Sequence, residues 1–500
     1  MINVLEYLED SAKKYPDKTA FLGTNSCVTF KEMLDKAQSI ALSLISAGAH
    51  KEPVVIAMTR SPEMIIAFFG VIAAGCYYVP IDEQMPAHRT ELIMDRLKAR
   101  FIITDGTTTL PSQTSADVFN YSDASSLTEV TPLAAERLAK VRKAAIDLDP
   151  IYIVFTSGST GIPKGVVTNH RCVIDYVEQL TKVIGASHDS IFAMQSPLYV
   201  DACLKEIYST LKFGATTHIV PKELFTQPVK LVEYLNENKI NTVCWVVPAL
   251  TFISGLQTFK TVIPKYLKTV AFGSEVFPPK QLKTWRETLP EARFINLYGP
   301  TEATGMCCHY EVTDKTDPEK PVPIGKPFPN KEIFLLDDDG KKVPKGQVGE
   351  ICIRGISLSP GYFNNPDITS KAFVQNPLNP LFTDIIYKTG DLGRLNEDDD
   401  IEFVSRKDFQ IKHMGYRIEL GEIEMLTCKT EGVENVCCLY DGEKKKISMF
   451  YMGTIDKSTL ISLLKNKLPR YMIPNTVIKL DLMPLTANGK TDRNALKQML

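Results

Sequence analysis

The sequence predicts an α/β protein with a large multi-sheet N-terminal domain and a small α+β C-terminal domain. First, short apolar runs such as PVVIAM, YIVFTS and NTVCWVVP alternate with amphipathic stretches such as VKLVEYLNENK, which indicates parallel strands covered by helices. Second, near Pro321 the pattern changes to strands separated by Gly and Pro, as in IFLLDDDGKKVPKGQVGEICIRG, which predicts a β-rich subdomain. Third, the pattern changes again after IEFVSRKD, and the remaining residues, from IKHMGYRIELGEIEMLT onward, predict a small α+β unit.

These changes set the expected domain boundaries. We expect residues 1–407 to form the large domain and residues 408–500 the small one, with the boundary close to Asp408. A chain of 500 residues is too long for one ordinary core, which also favours at least two domains.

The composition is that of an ordinary globular protein. Hydrophobic residues make up 44% and charged residues 23% of the chain, and the net charge of −2 indicates no attraction to nucleic acid or anionic membrane. The longest apolar run, MIIAFFGVIAAGCYYVPI, is interrupted by glycines and a proline, so it predicts a buried helix and strand rather than a membrane span. The eleven cysteines form no C-x-x-C pair, which is typical of small buried side chains in a reducing compartment. We expect a cytoplasmic monomer.

The stretch VFTSGSTGIPKG, Val154 to Gly165, predicts a phosphate-binding loop. It lies between a predicted strand, IYIVF, and a predicted helix, RCVIDYVEQLTKVIG, and its Gly, Ser and Thr residues offer backbone and hydroxyl donors to an anion. Lys164 is followed by Gly165 rather than by Ser or Thr, so the loop does not fit the pattern of P-loop NTPases. A dinucleotide site is disfavoured as well, because G-x-G-x-x-G is absent.

At this point the loop resembles a known family. FTSGSTGxPKG is similar to the phosphate loop of the adenylate-forming superfamily, which includes acyl-CoA and aryl-CoA ligases, luciferases and the adenylation domains of nonribosomal peptide synthetases. Further segments match in the family's order: VTFKEM, AAGCYYVPID, NLYGPTE, GEICIRG, YKTGDL, RKDFQIKHMGYRIELGEIE, LPRYMIP and NGKTDR. The last three resemble the amino-acid-activating branch, which includes D-alanine–carrier-protein ligases.

The resemblance implies a reaction in two halves. A carboxylate attacks the α-phosphorus of ATP with Mg²⁺ present, which gives an acyl-adenylate and pyrophosphate. A thiol then displaces AMP, and this thiol is expected to be the phosphopantetheine arm of a carrier protein, or CoA. Since one anion must approach another, the protein has to neutralise charge and hold both partners in line.

The resemblance also assigns the ATP-binding residues. The loop would hold the phosphates through Thr156, Ser157, Gly158, Ser159, Thr160, Gly161 and Lys164. The segment NLYGPTE would bind the nucleotide from the other side, through Asn296, Leu297, Tyr298, Gly299 and Pro300, with the Tyr298 ring on the base; Thr301 would bind the α-phosphate and Glu302 would hold Mg²⁺. Asp391 would accept the ribose hydroxyls, and Phe403 and Arg406 would complete the nucleotide site.

Lys490, in NGKTDR, is the expected main catalytic residue. In the family the small domain is mobile and brings such a lysine between the substrate carboxylate and the α-phosphate, where its charge would stabilise the transition state. Asp408 lies at the family's hinge. Rotation about it would turn Lys490 away and bring the face that carries Gly415 to the thiol.

Asp201, in SPLYVDACLKEIY, matches the aspartate that pairs with the substrate's α-ammonium in amino-acid-activating members, although Val200 stands where the family usually has an aromatic residue. The other pocket positions carried over are Ala202, Lys205, Trp245, Val270, Phe272, Leu297, Gly305 and Met306. Lys205 has two interpretations: it pairs with an acidic or carbonyl-bearing side chain of the substrate, or it extends to the surface. Trp245 and Phe272 would favour a small substrate. The sequence therefore leaves the amino acid and its stereochemistry open.

Two alternatives stand beside amino-acid activation: an acyl- or aryl-CoA ligase, and a non-catalytic nucleotide-binding protein on the same fold. The chain lacks the L-G-G-x-S carrier and H-H-x-x-x-D-G condensation motifs, so we expect either a free-standing ligase or one domain of a synthetase. The Met1 start and the end soon after NGKTDR favour the free-standing form.

Overall fold

A computed structural model describes residues 1–108, 110, 115–126, 131–158, 163–484 and 491–500. The helices among them are α1 Leu5–Lys14, α2 Phe30–Ser46, α3 Pro62–Ala73, α4 Ala87–Leu97, α5 Tyr121–Ala124, α6 Pro132–Ala144, α7 His170–Ile184, α8 Leu204–Phe213, α9 Pro228–Glu237, α10 Val247–Gly255, α11 Pro279–Thr288, α12 Pro366–Ala372, α13 Leu420–Cys428, α14 Lys457–Lys465 and α15 Arg493–Lys497.

The strands are β1 Thr19–Leu22, β2 Cys27–Thr29, β3 Pro53–Ala57, β4 Tyr77–Ile81, β5 Phe101–Thr104, β6 Asp117–Asn120, β7 Pro150–Thr156, β8 Lys164–Asn169, β9 Ile191–Met194, β10 Thr216–Ile219, β11 Thr242–Val246, β12 Thr269–Gly273, β13 Arg293–Tyr298, β14 Cys308–Val312, β15 Lys326–Pro327, β16 Lys331–Leu336, β17 Gly349–Gly355, β18 Gly361–Tyr362, β19 Phe373–Gln375, β20 Ile385–Leu395, β21 Ile401–Arg406, β22 Gln410–His413, β23 Tyr416–Glu419, β24 Val433–Asp441, β25 Lys446–Gly453 and β26 Thr476–Lys479.

Two large sheets and one smaller sheet form most of the chain before residue 408. The seven-stranded sheet has the order β18-β8-β7-β4-β3-β5-β6, and the nine-stranded sheet has the order β15-β14-β13-β12-β11-β9-β10-β1-β2. Neighbouring strands from β7 to β6 in the first sheet and from β13 to β10 in the second are parallel. Strands β16, β17, β19, β20 and β21 form an antiparallel sheet, which is the β-rich part that the sequence predicts. The α/β fold class and its multi-sheet N-terminal part are confirmed.

The apolar core is divided between the sheets. The largest cluster joins the two large sheets through helices α3, α7 and α8, with Phe68, Tyr78, Tyr176 and Phe192 among its buried members. A second cluster covers the other face of the nine-stranded sheet with α9, α10 and α11. The parallel strands are buried on both faces for this reason, and their sequences are apolar without alternation.

The chain after residue 408 forms its own small sheets and core. Strands β22 and β23 make a hairpin, and β24, β25 and β26 make a three-stranded sheet. Helices α13 and α14 pack on that sheet through a separate cluster that includes Ile423, Met449 and Leu460. The boundary at Asp408 and its role as a hinge stay predictions.

Local sequence explains where the main helices begin. Helix α2 starts with a capping box. The Thr29 hydroxyl accepts a hydrogen bond from the Glu32 backbone N–H, and the Glu32 carboxylate accepts one from the Thr29 backbone N–H. Helix α3 starts at Ser61 followed by Pro62, a residue that suits the first helical position. No helix in the described parts of the chain has both the length and the apolar character needed to cross a membrane.

Candidate active site

The predicted phosphate loop joins two antiparallel strands rather than a strand and a helix. Thr156, at the end of β7, pairs with Lys164, at the start of β8, and helix α7 begins only after β8 ends at Asn169. The predicted helix RCVIDYVEQLTKVIG is present as α7, but the sequence prediction did not include strand β8 between the loop and that helix. The β-branched residues of KGVVTN extend the sheet by one strand first, so the described ends of the loop lie on two paired strands.

Three described residues of the loop offer donors at the carboxyl end of β7. The hydroxyl of Thr156 is buried and has no hydrogen-bond partner among the described residues. Ser157 Oγ donates to the Arg417 carbonyl oxygen at 2.8 Å, and the Gly158 N–H donates to Glu422 Oε2 at 3.2 Å. The predicted phosphate-binding residues Ser159, Thr160 and Gly161 lie outside the described residues.

Lys164 is buried beside the loop. Its Nζ lies 5.3 Å from the centre of the Tyr362 ring and 4.0 Å from Glu419 Oε1. Burial lowers the pKa of Lys164, and the charge of Arg417 lowers it further, whereas Glu302 and Glu419 oppose that shift. The geometry presents a poorly hydrated cation to the loop, which suits a phosphate oxygen.

Glu302 lies in the short 3-10 turn Thr301–Ala303 that follows β13. Its carboxylate accepts hydrogen bonds from the Tyr362 hydroxyl at 2.7 Å and from Arg417 Nη1 at 2.7 Å. Its side chain is 0% exposed. Burial alone would raise its pKa, but the charges of Arg417 and Lys164 and the Tyr362 hydrogen bond lower the pKa of Glu302 to about 2. The turn therefore holds a permanently ionised carboxylate that already binds a cation.

The NLYGPTE segment needs glycine for its close packing. A Cβ at Gly299 would lie 1.9 Å from the Gly305 carbonyl oxygen, so no larger residue fits between the two chain segments. This contact brings Gly305 and Met306 back beside Tyr298 and Thr301, at the carboxyl end of β13. Asn296 is anchored in turn, since its side-chain amide donates to the Pro323 carbonyl oxygen at 2.8 Å.

The predicted nucleotide residues meet around Asp391. The Tyr298 hydroxyl donates to Asp391 Oδ2 at 2.6 Å, and Arg406 forms an ion pair with the other carboxylate oxygen. Arg406 also forms an ion pair with Asp408 at 2.7 Å. Burial by itself would lower the pKa of Arg406. The hydrogen bond with Asp408 and the charge of Asp391 have the larger effect, so the pKa of Arg406 is raised. Asn296, Leu297, Tyr298, Asp391, Phe403 and Arg406 line one cavity of about 680 Å³.

The predicted substrate aspartate faces a neighbouring cavity of about 140 Å³. Asp201 keeps part of its surface open to this cavity, which Ala202, Gly305 and Met306 also line. Burial raises the pKa of the Asp201 carboxyl, while the charge of Lys205 and a hydrogen bond with Thr301 oppose the shift. The structure therefore brings Asp201, which is expected to pair with the substrate amine, next to Thr301, which the resemblance assigns to the α-phosphate.

Several predicted pocket residues lie elsewhere. Lys205 is buried, with its Nζ donating to the Ala202 carbonyl oxygen at 2.8 Å, so the interpretation of a side chain that extends to the surface is wrong. Trp245, Val270 and Phe272 pack in the core cluster with α9, α10 and α11 rather than along the cavity. Trp245 and Phe272 are paired neighbours on parallel strands, so they share that face, and Trp245 Nε1 donates to the Ala193 carbonyl oxygen at 2.7 Å. Leu297 faces the opposite side of the sheet, in the largest core cluster.

The hairpin β22–β23 contributes Lys412 and Tyr416, which sequence reasoning did not assign, and Gly415, which it placed on the face that meets the thiol. Lys412 Nζ lies 5.4 Å from the centre of the Tyr298 ring, and burial lowers its pKa. The Gly415 N–H donates to Glu275 Oε1 at 3.3 Å, and Tyr416 stacks on Tyr471 with 3.9 Å between ring centres. The segment QIKHMGYRIELGEIE does alternate charged and apolar residues, which indicates side chains with specific partners. Those partners lie far away in the sequence, so the pattern alone could not identify them. Lys490 lies outside the described residues.

Comparison with known proteins gives consistent results. Residues 8–363 match the protein-family model of the AMP-binding enzymes. Zwittermicin A synthase ZmaJ from Bacillus cereus is 33% identical over 506 residues, and the match covers 99% of this chain and 94% of ZmaJ. Bacitracin synthase 1 from Bacillus licheniformis is 32% identical over 99% of this chain, and the chain spans 9% of that protein's length.

The same architecture occurs in a solved structure. PA1221, a nonribosomal peptide synthetase protein with adenylation and PCP domains, superposes with a TM-score of 0.83 over 100% of this chain and 84% of PA1221. The two chains are 24% identical, so this similarity concerns the fold.

Proposed function

Because the chain belongs to the family of AMP-binding enzymes and is an AMP-forming ligase of the adenylation-domain type, we propose that it activates an amino acid. The amino acid would react with ATP to give an aminoacyl-adenylate and pyrophosphate. Its aminoacyl group would then pass to the phosphopantetheine thiol of a carrier protein.

The observation that carries the amino-acid assignment is the position of Asp201. Its carboxylate faces the cavity beside Thr301, where a substrate carboxylate would have to meet the α-phosphate. An α-ammonium paired with Asp201 would offset the cost of burying that carboxylate. An acid without the amine would leave Asp201 buried and unpaired, which is a strong basis for rejection.

The loop and its surroundings supply positive charge and donors for the first half-reaction. Lys164, the free hydroxyl of Thr156 and the Gly158 N–H converge at the carboxyl end of β7. Donors fixed in a buried site stabilise charge that develops in the transition state. Lys490 would add a further cation between the substrate carboxylate and the α-phosphate.

The nucleotide would occupy the cavity around Tyr298 and Asp391. The aromatic face of Tyr298 would bind the base, and Asp391 would exchange its bond with the Tyr298 hydroxyl for the ribose hydroxyls. Arg406 is held by Asp391 and Asp408, so it would stay oriented when the ribose binds.

Adenylate-forming enzymes use ATP and Mg²⁺, and the residues around Glu302 fit the metal. Its carboxylate is ionised, buried and adjacent to the phosphate loop, which is the donor chemistry that Mg²⁺ prefers. Mg²⁺ held by Glu302 would neutralise charge on the phosphate oxygens. Tyr362 would keep the carboxylate in place through its hydrogen bond to the other oxygen.

The second half-reaction would use the hairpin β22–β23. The Gly415 N–H donates to Glu275, and the missing side chain lets the hairpin pack closely against Val246, where the thiol-bearing arm would reach the adenylate. The carrier-bound thiol would attack the aminoacyl carbonyl and release AMP. CoA would use the same route if the enzyme were a CoA ligase.

Pyrophosphate exchange tests the proposal. Purified protein with ATP, Mg²⁺ and labelled pyrophosphate would be assayed with the twenty amino acids, D-alanine, ornithine-like amines, and fatty and aromatic acids. We expect exchange with one amino acid or a small set of them. Exchange with amine-free acids alone would overturn the assignment of Asp201 and favour the acyl- or aryl-CoA ligase.

A further inference from the structure

We propose that the segment Arg417–Glu422 is a surrogate for magnesium pyrophosphate: it binds the same groups with the same signs of charge, so the two exclude each other. The inference rests on the proposed function, because the proposed function defines pyrophosphate as a product. It adds a role for three residues, Arg417, Glu419 and Glu422, that the two half-reactions do not require.

The phosphate side of the surrogate consists of two carboxylates. Glu422, at the start of α13, accepts the Gly158 N–H at 3.2 Å, a donor that the sequence assigns to phosphate. Glu422 is buried, and its other oxygen forms an ion pair with Arg89 of the large domain. Glu419 lies 4.0 Å from Lys164, the loop's cation. Two negative groups thus occupy the positions expected for pyrophosphate oxygens.

The metal side of the surrogate is the guanidinium of Arg417. Its Nη1 donates to Glu302 Oε2 at 2.7 Å, on the carboxylate assigned to Mg²⁺. A guanidinium keeps its charge in proteins, and the Arg417 side chain is mostly buried here. A cation therefore stays on Glu302 when the hairpin is docked.

Arg417 and Glu419 are tied to each other through Gln410, whereas Glu422 is held separately by Arg89. Arg417 Nε donates to Gln410 Oε1 at 2.6 Å, and the side-chain amide of Gln410 donates in turn to Glu419. Gln410 is buried between them. A fixed cation flanked by two fixed anions reproduces the charge pattern of a metal–pyrophosphate complex, which ordinary ion pairs between domains have no reason to do.

An ion pair from the turn between β24 and β25 to the large domain shows the difference. Lys445 pairs with Glu275, and neither residue is assigned to a phosphate or to the metal. This pair would stabilise docking in general. The Arg417–Glu422 segment would make docking depend on the departure of pyrophosphate, since Gly158, Lys164 and Glu302 cannot bind both partners at once.

The consequence is an exchange of partners at the loop. When magnesium pyrophosphate is bound, the hairpin cannot dock and the thiol half-reaction is blocked. When it leaves, Glu422 and Arg417 take its place, so the Gly158 N–H and the Glu302 carboxylate are never left buried without a partner. Retained pyrophosphate would then inhibit thiol transfer, in addition to driving the adenylation step backwards.

Hydrogen–deuterium exchange tests this inference without any chemistry. The full chain would be measured alone and with Mg²⁺ plus pyrophosphate, in the absence of ATP and amino acid. We expect residues 410–419 to lose protection when magnesium pyrophosphate binds, while the Gly158 amide stays protected because it passes from one acceptor to another. Inorganic phosphate at the same concentration should not release the hairpin.

Two variants and one matched control sharpen the test. Glu422→Ala, which removes both acceptor oxygens, should expose the Gly158 amide in the ligand-free protein, and that exposure should disappear when magnesium pyrophosphate binds. Arg417→Gln should tighten magnesium pyrophosphate binding about fivefold, because the competing docked state is less populated. Glu424→Gln, on the same helix but paired with Arg493, should behave as the parent chain does. Circular dichroism would verify that each variant is folded.

Two results would overturn the inference. One is a hairpin that keeps its protection when magnesium pyrophosphate is saturating, because both partners would then be bound together. The other is a Gly158 amide that Glu422→Ala leaves protected, since the carboxylate would then not be its partner. Failure of the amino-acid exchange assay would be a separate result, because these measurements need neither ATP nor an amino acid.

Discussion

We expect Asp201 to lower the free energy of unfolding of the substrate-free protein, although it would select the substrate. Burial raises the pKa of its carboxyl, so the native protein keeps this proton to a higher pH than the unfolded chain does. The contribution of Asp201 to the free energy of unfolding therefore falls as the pH rises through that raised pKa. In the free protein the charge of Lys205 and the hydrogen bond with Thr301 offset part of this cost, and the α-ammonium of a bound amino acid would offset more of it.

Asp201→Asn should raise the melting temperature at pH 7, because the substitution removes a buried charge. It should also lower kcat/KM for the amino acid about 100-fold, because the α-ammonium loses its partner. Thermal melts and steady-state exchange kinetics measure the two effects. Asp10→Asn, at an exposed position of α1, is the control and should change neither. An unchanged kcat/KM in Asp201→Asn would contradict the pairing with the ammonium.

Lys490→Ala should reduce the single-turnover rate of adenylate formation by about 10³-fold or more, since its charge is expected to act mainly in the transition state. ATP binding, measured by calorimetry, should change little. Lys497→Ala, on the exposed face of α15, provides the comparison. An adenylation rate equal to that of the parent chain would remove Lys490 from the mechanism.

The site residues that sequence reasoning placed well follow the motifs directly. Asp201, Ala202, Gly305 and Met306 surround one cavity because each lies in or next to a turn at the end of a strand. Trp245 and Phe272 lie inside strands, where the face that a side chain occupies depends on the pleat and the register. A motif match gives a position along the chain but not that face.

At the scale of elements, strand β8 is the clearest departure from the sequence prediction. Its residues KGVVTN are few and follow a glycine-rich loop, so they give little periodic signal of their own and the sequence prediction assigned them no element. In the structure these residues pair with β7 and β18. The fold class did not depend on this strand, because the parallel strands around it were already evident.

Gly415→Ala should slow thiol transfer about tenfold or more and leave pyrophosphate exchange unchanged. The backbone φ of Gly415 is +83°, and a Cβ there would lie 2.8 Å from Val246 Cγ1, so the hairpin could not dock against the large domain as it does now. Stopped-flow adenylation and carrier loading separate the two half-reactions. Gly442→Ala, where a Cβ would meet nothing within 4 Å, should leave both rates intact. Equal slowing of both half-reactions by Gly415→Ala would contradict the role of the hairpin.

At the scale of the whole molecule, the contacts that build the site join parts of the chain that are far apart. Glu302 and Arg417 are 115 residues apart, and Gly158 and Glu422 are 264 residues apart. Sequence patterns report local periodicity and cannot pair such residues without a relative of known structure. The motifs assigned Lys490 and Gly415 in the small domain, whereas the contacts of Arg417, Glu419 and Glu422 with the large domain emerged from the docked geometry.

The central claim, attack of an amino-acid carboxylate on the α-phosphorus of ATP, is tested most directly by oxygen transfer. The amino acid that supports exchange would be labelled with ¹⁸O in its carboxylate and incubated with ATP, Mg²⁺ and the thiol acceptor. We expect one ¹⁸O atom in the released AMP and none in pyrophosphate, because the attacking oxygen stays on phosphorus when the thiol breaks the carbon–oxygen bond. Label in pyrophosphate or inorganic phosphate, or the release of unlabelled AMP, would contradict the claim.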